Sequence, residues 1–363
     1  MTGMVPPPVD VDRPVGAQDQ GGDVGVHESV EAASSLAAEG RVRDAITLLS
    51  DLNRRNRSGV VERTLVELRH VGFDRTVDPP VEPLPPSADI DLELVDGVPC
   101  VDPSHLDLAA LRRGLEQYGC LLVRGLLPPG RCRRLVDGID RAFDALDAWQ
   151  AKPMAQRDEE ATAWFTPFRP VPPYTGRELG GRMFTRNTGG VWTVESPRMM
   201  FEVIETFEEV GLGALIADHL SERPVLSAAK CNLRRTPVHI PGGWHQDGSF
   251  LGLDASTIDT WVALSECGRD APGLDVVPHR FDHLLETGLD QVVVPHATVV
   301  DAIVDLAVDW VSPEFHPGDV LIFDHMFLHR TAISPDMTRE RYALETWFFA
   351  RSNYPSGQIP LLY

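Results

Sequence analysis

The stretch Pro241-Gly242-Gly243-Trp244-His245-Gln246-Asp247-Gly248 decides how this chain is read. His245 and Asp247 stand two apart, so in an extended segment both side chains point to one face. An imidazole beside a carboxylate is two thirds of a facial iron site, which takes its second histidine from elsewhere. The alternative is a chance pair, and the chain holds another of the same spacing, His105-Leu106-Asp107. That copy stands at the entrance to a helical pattern, where Asp107 is placed to cap and His105 to face solvent. Spacing alone therefore decides nothing, and the surroundings of each pair must.

Just upstream of His245, Ala228, Lys230, Asn232 and Arg234 alternate with Ala229, Cys231 and Leu233, the pattern of a strand with one polar face. Such a face suits a ligand-binding barrel interior or an exposed edge. Downstream, Asp259-Thr260-Trp261-Val262-Ala263-Leu264 is strongly β-prone. Pro317-Gly318-Asp319-Val320-Leu321-Ile322-Phe323-Asp324 reads as a turn and a buried strand leading into His325-Met326-Phe327-Leu328-His329-Arg330-Thr331. A long strand follows from Arg339 to Phe349. Short strands with turn signals from Val225 onward predict an all-β barrel or sandwich.

The N-terminal half reads differently. Residues 1–26 are rich in Pro, Gly, Asp and Val without periodicity and are expected to be disordered. Residues 27–73 carry three helical patterns, with Gly40 ending the first, and are expected to form a small helical appendage. The segment from Leu36 to Ile46 looks like half of a tetratricopeptide-type repeat with no second copy, and a single repeat cannot bury its own face. It should pack on the main domain or on a partner subunit. A Pro-rich linker spans 74–90, and the main domain runs over 91–363. Within it, a strand with a turn lies at 92–99, a helix at 108–118 and a buried strand at 120–125. A further helix spans 128–148, long loops 150–195, and residues 197–220 are helical.

Taken in order, Trp-His-Gln-Asp, Thr-Trp-Val-Ala-Leu, Gly-Asp-Val-Leu-Ile-Phe-Asp with Leu-His-Arg-Thr, and Arg-Tyr-Ala-Leu resemble the phytanoyl-CoA dioxygenase family from about Leu108 to the C-terminus. The resemblance implies an α+β chain with a mainly β core, a double-stranded β-helix or jelly-roll barrel with helices outside. It implies an iron(II)- and 2-oxoglutarate-dependent dioxygenase using O2. It implies His245, Asp247 and His329 as metal ligands and catalytic centre, with His325 as the rival that the motif disfavours. For the 2-oxoglutarate carboxylate it implies Arg341, in preference to Arg339. Thr331 matches a position where the family turns a hydroxyl toward the co-substrate. Trp261 matches an aromatic near that pocket, although a strand tryptophan is often plain core. Arginine suits the role because its planar fork binds both carboxylate oxygens and stays charged. The stretch Leu274-Asp275-Val276-Val277-Pro278-His279-Arg280 lacks the family's Gly-Ser-His turn. The family's halogenating branch replaces the carboxylate ligand with a small residue; Asp247 is retained here, which favours hydroxylation.

Composition bounds the rest. Across 363 residues the formal net charge is −21. Such a surface repels phosphate backbones and anionic membranes, so the expected partner is a small-molecule substrate, with no nucleic acid and no membrane. Five scattered cysteines without a CxxC pair fit a reducing cytoplasm and argue against a thiolate zinc site. The chain is expected to be a monomer or homodimer, with the helical appendage at any subunit contact. The residues 1–20 have neither the basic nor the apolar region of a signal peptide. Two rival readings stand beside the oxygenase: a catalytically inactive jelly-roll binding or scaffold protein, and a cupin-type metalloenzyme needing no oxo acid.

Overall fold

The computed structural model describes residues 20–76, 89–157, 162–176, 181–240, 242–286 and 309–363. Three helices come first, α1 (Gln20–Ala38), α2 (Val42–Arg55) and α3 (Gly59–Arg75). Ala33, Val42, Ala45, Leu49, Val61 and Leu65 form their shared core. The expectation of disorder to residue 26 fails for residues 20–26, which lie in α1. Val26 and Val30 pack against that core, which gives the Gly-rich start of the helix a tertiary reason to form. Likewise α3 runs to Arg75, past the expected end at 73. The prolines of the linker lie outside the described residues.

The next elements follow local signals closely. Strands β1 (Glu93–Val95) and β2 (Val98–Val101) form a hairpin whose turn residues Asp96 and Gly97 both have positive φ, 51° and 83°. That is the conformation an Asp-Gly turn favours. Helix α4 (Leu108–Tyr118) is capped by Asp107, which accepts a 2.8 Å hydrogen bond from the Ala110 backbone N–H, and it stops at Gly119 in the left-handed region. The second His-x-Asp is therefore a helix cap. Strand β3 (Cys120–Val123) and helix α5 (Pro129–Gln150) come next.

One expectation is corrected here and another refined. The supposed loops of 150–195 include helix α6 (Arg182–Asn187) and strand β4 (Gly190–Trp192). The helical stretch expected over 197–220 is divided into α7 (Pro197–Glu209) and α8 (Leu212–Leu220) at Gly211, with φ 74°.

The remainder holds β5 (Val225–Ser227), β6 (Asn232–Thr236), a four-residue helix α9 (Gly248–Leu251), β7 (Thr257–Ala263), β8 (Gly273–Val276), β9 (Val320–Phe323), β10 (His329–Ala332), β11 (Arg341–Phe349) and β12 (Pro360–Leu362). The polar strand expected from residue 228 begins only at Asn232, because Lys230 sits in a turn, its N–H bonded to the Ser227 carbonyl at 3.2 Å.

The pairing defines the architecture. One sheet runs β6-β11-β7-β9, all antiparallel. The other runs from the segment at His245 to β10, then β8, then Val311. In chain order the eight segments pass between these sheets as in a jelly-roll double-stranded β-helix. Beyond β9 the first sheet continues through β3, β2 and β1, and beyond β11 through β5 and β12. Its outer face, with Val262, Ile322, Leu344 and Phe348, is covered by Leu111, Leu135, Phe143 and Ile204 from α4, α5 and α7. Its inner face, with Trp261, Ala263, Leu321, Phe323 and Ala343, meets Leu274 and Val276 of the second sheet.

The appendage packs on its own chain. Helix α3 lies against β12 and α7, and Phe201 of α7 enters its core. Arg69 donates to the Leu362 carbonyl at 3.0 Å. Gly72 is pressed so close that a Cβ there would stand 2.5 Å from Leu362 Cδ1.

Candidate metal centre

The His245 segment joins the second sheet through a reciprocal pair of bonds with β10: His245 N–H to the His329 carbonyl at 3.0 Å, and His329 N–H to the His245 carbonyl at 3.1 Å. This puts both imidazoles on adjacent strands, ring centroids 4.4 Å apart. Asp247 arrives by a route the sequence reading did not foresee. It is not extended but helical, φ −64° and ψ −24°, at the N-terminus of α9. The turn swings its carboxylate back toward the histidines. One candidate ligand atom from each of His245, Asp247 and His329 lies within 4.8 Å of the others, and His245 Nε2 is 3.7 Å from Asp247 Oδ1.

The residue between them holds the turn. Gln246 is fully buried; its amide donates to the Met326 carbonyl at 2.8 Å and the His283 carbonyl at 3.1 Å, and accepts from Leu285 N–H at 2.7 Å. All its side-chain bonds reach residues distant in sequence, so no local signal marked it.

Each histidine has a backbone carbonyl at Nδ1, Gly243 at 2.8 Å for His245 and Phe327 at 3.1 Å for His329. A carbonyl only accepts, so Nδ1 carries the proton and Nε2 keeps its lone pair for a cation. Burial, then the neighbouring His245, pulls the His329 pKa down to about 4, which keeps the ring neutral. Two neutral imidazoles and a carboxylate converging on one point fit an iron(II) ion with open positions on its far side. This is the one such group of three found among the described residues.

Two acids that the sequence reading passed over face the same interior. The register of β7 and β11 places Asp259, Trp261 and Ala263 beside Trp347, Glu345 and Ala343. Both Asp259 oxygens are buried without a partner, and burial, then the Asp247 charge, raises its pKa well above the usual carboxylate range. Glu345 is held ionised: burial pushes it up, but Arg234 at 2.7 Å outweighs that and its pKa falls.

Arg341 opens β11 and is 2 % exposed. Its guanidinium donates to the Gly273 carbonyl at 2.9 Å and the Thr236 hydroxyl at 3.1 Å, and lies 5.3 Å from the Trp261 ring. Nε of Arg341 and Nε1 of Trp261 are buried without partners, and no carboxylate of the described residues pairs with the cation. A permanent charge buried with only neutral acceptors is costly, and an anion resolves it. Arg339 is exposed, its side chain outside the barrel. Thr331 lies two residues after His329 on β10 and so shares its face. His325 is apart from the cluster, with Thr257 at 3.4 Å and the Leu253 carbonyl at 3.3 Å. Arg182 and Arg186 are tied to Glu195 and Asp147.

Residues 201–337 match the family model of phytanoyl-CoA dioxygenase (PhyH). Among solved structures, the chain is similar to the epimerase SnoN in complex with Fe3+, alpha ketoglutarate and nogalamycin RO. The identity is 16 %, over 67 % of this chain and 83 % of that one, with a TM-score of 0.44. It is similar to AviO1 from Streptomyces viridochromogenes Tue57, at 19 % identity over 69 % and 98 % of the two chains, TM-score 0.43. A third is EvdO2 from Micromonospora carbonacea var. aurantiaca complexed with 2-oxoglutarate, at 14 % identity over 70 % and 91 %, TM-score 0.44. No curated protein matches the chain.

Proposed function

We propose that this chain, an iron(II)- and 2-oxoglutarate-dependent oxygenase of the phytanoyl-CoA dioxygenase family, hydroxylates an unactivated C–H of a small-molecule metabolite or biosynthetic intermediate. Substrate C–H, 2-oxoglutarate and O2 become C–OH, succinate and carbon dioxide. We assign iron binding to His245, Asp247 and His329, and the distal 2-oxoglutarate carboxylate to Arg341, with Thr331 and Trp261 beside it.

The observation that carries this reading is Arg341, a buried cation with no acid partner in the interior that also holds the triad. A five-carbon dicarboxylate supplies the missing anion at one end and oxygen donors for a metal at the other. A cupin-type enzyme needing no oxo acid leaves that charge unexplained.

Iron(II) held by the triad supplies the oxidative chemistry when 2-oxoglutarate and O2 are bound. The chain's own work is binding, orientation and exclusion of water. The carbonyls of Gly243 and Phe327 fix the histidine tautomers. Gln246 fixes the turn that aims Asp247. The apolar inner face, Leu321, Phe323 and Phe327, excludes water from one side.

The test is spectroscopic. Iron(II) and 2-oxoglutarate added without oxygen should produce a visible charge-transfer band. Its absence in folded, metal-loaded protein would overturn the assignment. Succinate release screened against a metabolite library then identifies substrates, and product analysis separates hydroxylation from desaturation, ring closure or epimerisation.

A further inference from the structure

Two cations reach the barrel interior without an acid partner among the described residues. One is Arg341; the other is Lys230. Arg234 faces the same interior but is paired with Glu345 at 2.7 Å. The chain has two lysines in all, Lys152 and Lys230.

Lys230 Nζ lies 4.7 Å from the centroid of the Phe250 ring and 4.6 Å from that of Trp347. The ring faces attract the charge but offer no strong hydrogen-bond acceptor, and an ammonium carries three N–H donors. No described residue accepts a hydrogen bond from it or stands at ion-pair distance.

Its position relative to the triad is informative. Inward side chains along β11 run Arg341, Ala343, Glu345, Trp347. At ~3.3 Å per residue, Trp347 stands roughly 20 Å along the strand from Arg341. Glu345 lies between them, in the neighbourhood of His329. Phe250 stacks edge-on to His245 at 6.1 Å. The Lys230 clamp is thus on the opposite side of the triad from Arg341. Buried Arg341 serves one end of the interior and half-buried Lys230 the other.

We propose that Lys230 anchors an anionic group, a carboxylate or a phosphate ester, on the substrate that is oxidised. This rests on the oxygenase reading above, with the Arg341 end taken by 2-oxoglutarate. The substrate's anionic oxygens take the ammonium's free N–H bonds, and the rings of Phe250 and Trp347 cover the adjoining carbons. Burial pulls the Lys230 pKa down, against the pull of Asp247, Asp259 and Glu345. A docked anion favours the charged form.

The test uses the full-length iron-loaded protein. Wild type must first give the anaerobic charge-transfer band with 2-oxoglutarate; a missing band overturns the iron site and the anchor with it. With the band present, succinate formation is measured against a fixed panel. The panel holds aliphatic and aromatic monocarboxylates with their methyl esters, and alkyl and sugar phosphates with their parent alcohols. The expected result is stimulation by members of one acidic arm, at least tenfold weaker with the neutral counterparts. Lys230→Met should raise KM for the active acids at least tenfold, with a smaller change in kcat. Lys230→Arg, which keeps the charge, should recover part of that loss. Stimulation by the neutral counterparts alone, stimulation by none, or an acid whose KM is the same in Lys230→Met overturns the anchor while leaving the iron site standing.

Discussion

Asp247 is one of several aspartates in the chain, and its conformation gives it a distinct place. It is buried, it completes the candidate ligand set, and it is aimed by a neighbour, Gln246, that is itself fully buried. Asp247→Ala should abolish succinate formation while leaving the thermal melt nearly unchanged, since the change also removes a charge that repels Asp259. Retained turnover in that variant would mean that another residue completes the metal site. Arg341→Met should raise KM for 2-oxoglutarate roughly 10- to 100-fold, because hydrogen bonds to a charged group are worth about 1.5–3 kcal/mol. Steady-state kinetics in varied 2-oxoglutarate measures it, and an unchanged KM would move the carboxylate elsewhere. The triad, Arg341, Thr331 and Trp261 could all be marked on the sequence because they sit inside recognisable motifs. Asp259, Glu345 and Gln246 could not. Their surroundings come from other strands, and a lone acid or amide in a strand pattern carries no local sign of what it faces.

At the level of elements, local chemistry wrote some boundaries and not others. Asp107 caps α4, Gly119 ends it, and Asp96-Gly97 turns the hairpin, each for a reason visible in two or three residues. Strand β4 was invisible because three residues form a strand only when β6 offers them a partner edge. The spacing of His245 and Asp247 puts both side chains on one face of an extended segment, whereas the chain changes to a helical turn at Asp247. A glycine earlier in the same stretch is required by close approach. A Cβ on Gly242 would lie 2.7 Å from the Thr331 backbone nitrogen, which has no flexible end to yield. Gly242→Ala should lift the segment off β10 and disturb the His245–His329 pair. The expected result is a several-fold weaker iron titration, followed by the charge-transfer band, with little change in far-ultraviolet circular dichroism. An unchanged titration would show that the strand absorbs the methyl.

For the whole molecule, the appendage and the barrel share contacts that bear on stability. His70 on α3 is 2 % exposed and spans three elements: its Nδ1 donates to the Pro360 carbonyl at 2.9 Å and its Nε2 accepts from Val171 N–H at 3.0 Å. Both nitrogens are engaged in the neutral tautomer, and burial lowers its pKa. The unfolded chain takes up the proton near pH 6.5. The stabilisation from His70 is therefore complete above that pH and is lost as pH falls toward the lower folded value. The melting temperature should drop between pH 7 and pH 5. The drop should be shallower in His70→Gln, whose melt at pH 8 should already be lower. Equal slopes would show that other groups, such as His219 with its pKa near 4, dominate the acid limb. No helix among the described residues is long and apolar enough to cross a membrane. All five cysteines are buried and unpaired.

The sequence by itself marked several core strands in their order along the chain and, through a family resemblance, three candidate ligands and a candidate arginine for a dicarboxylate. These are carried by short motifs whose polarity, turn residues and spacing act over a few positions. Only the tertiary structure decided that Asp247 reaches the histidines through a helical turn, that the N-terminal helices lie on the same chain, and which cations go without acids. The reason is that pairing and burial depend on partners far away in the sequence. Arg234 finds Glu345 across β6 and β11, while Lys230, four residues earlier in the chain, finds two aromatic rings and, among the described residues, no acid at ion-pair distance.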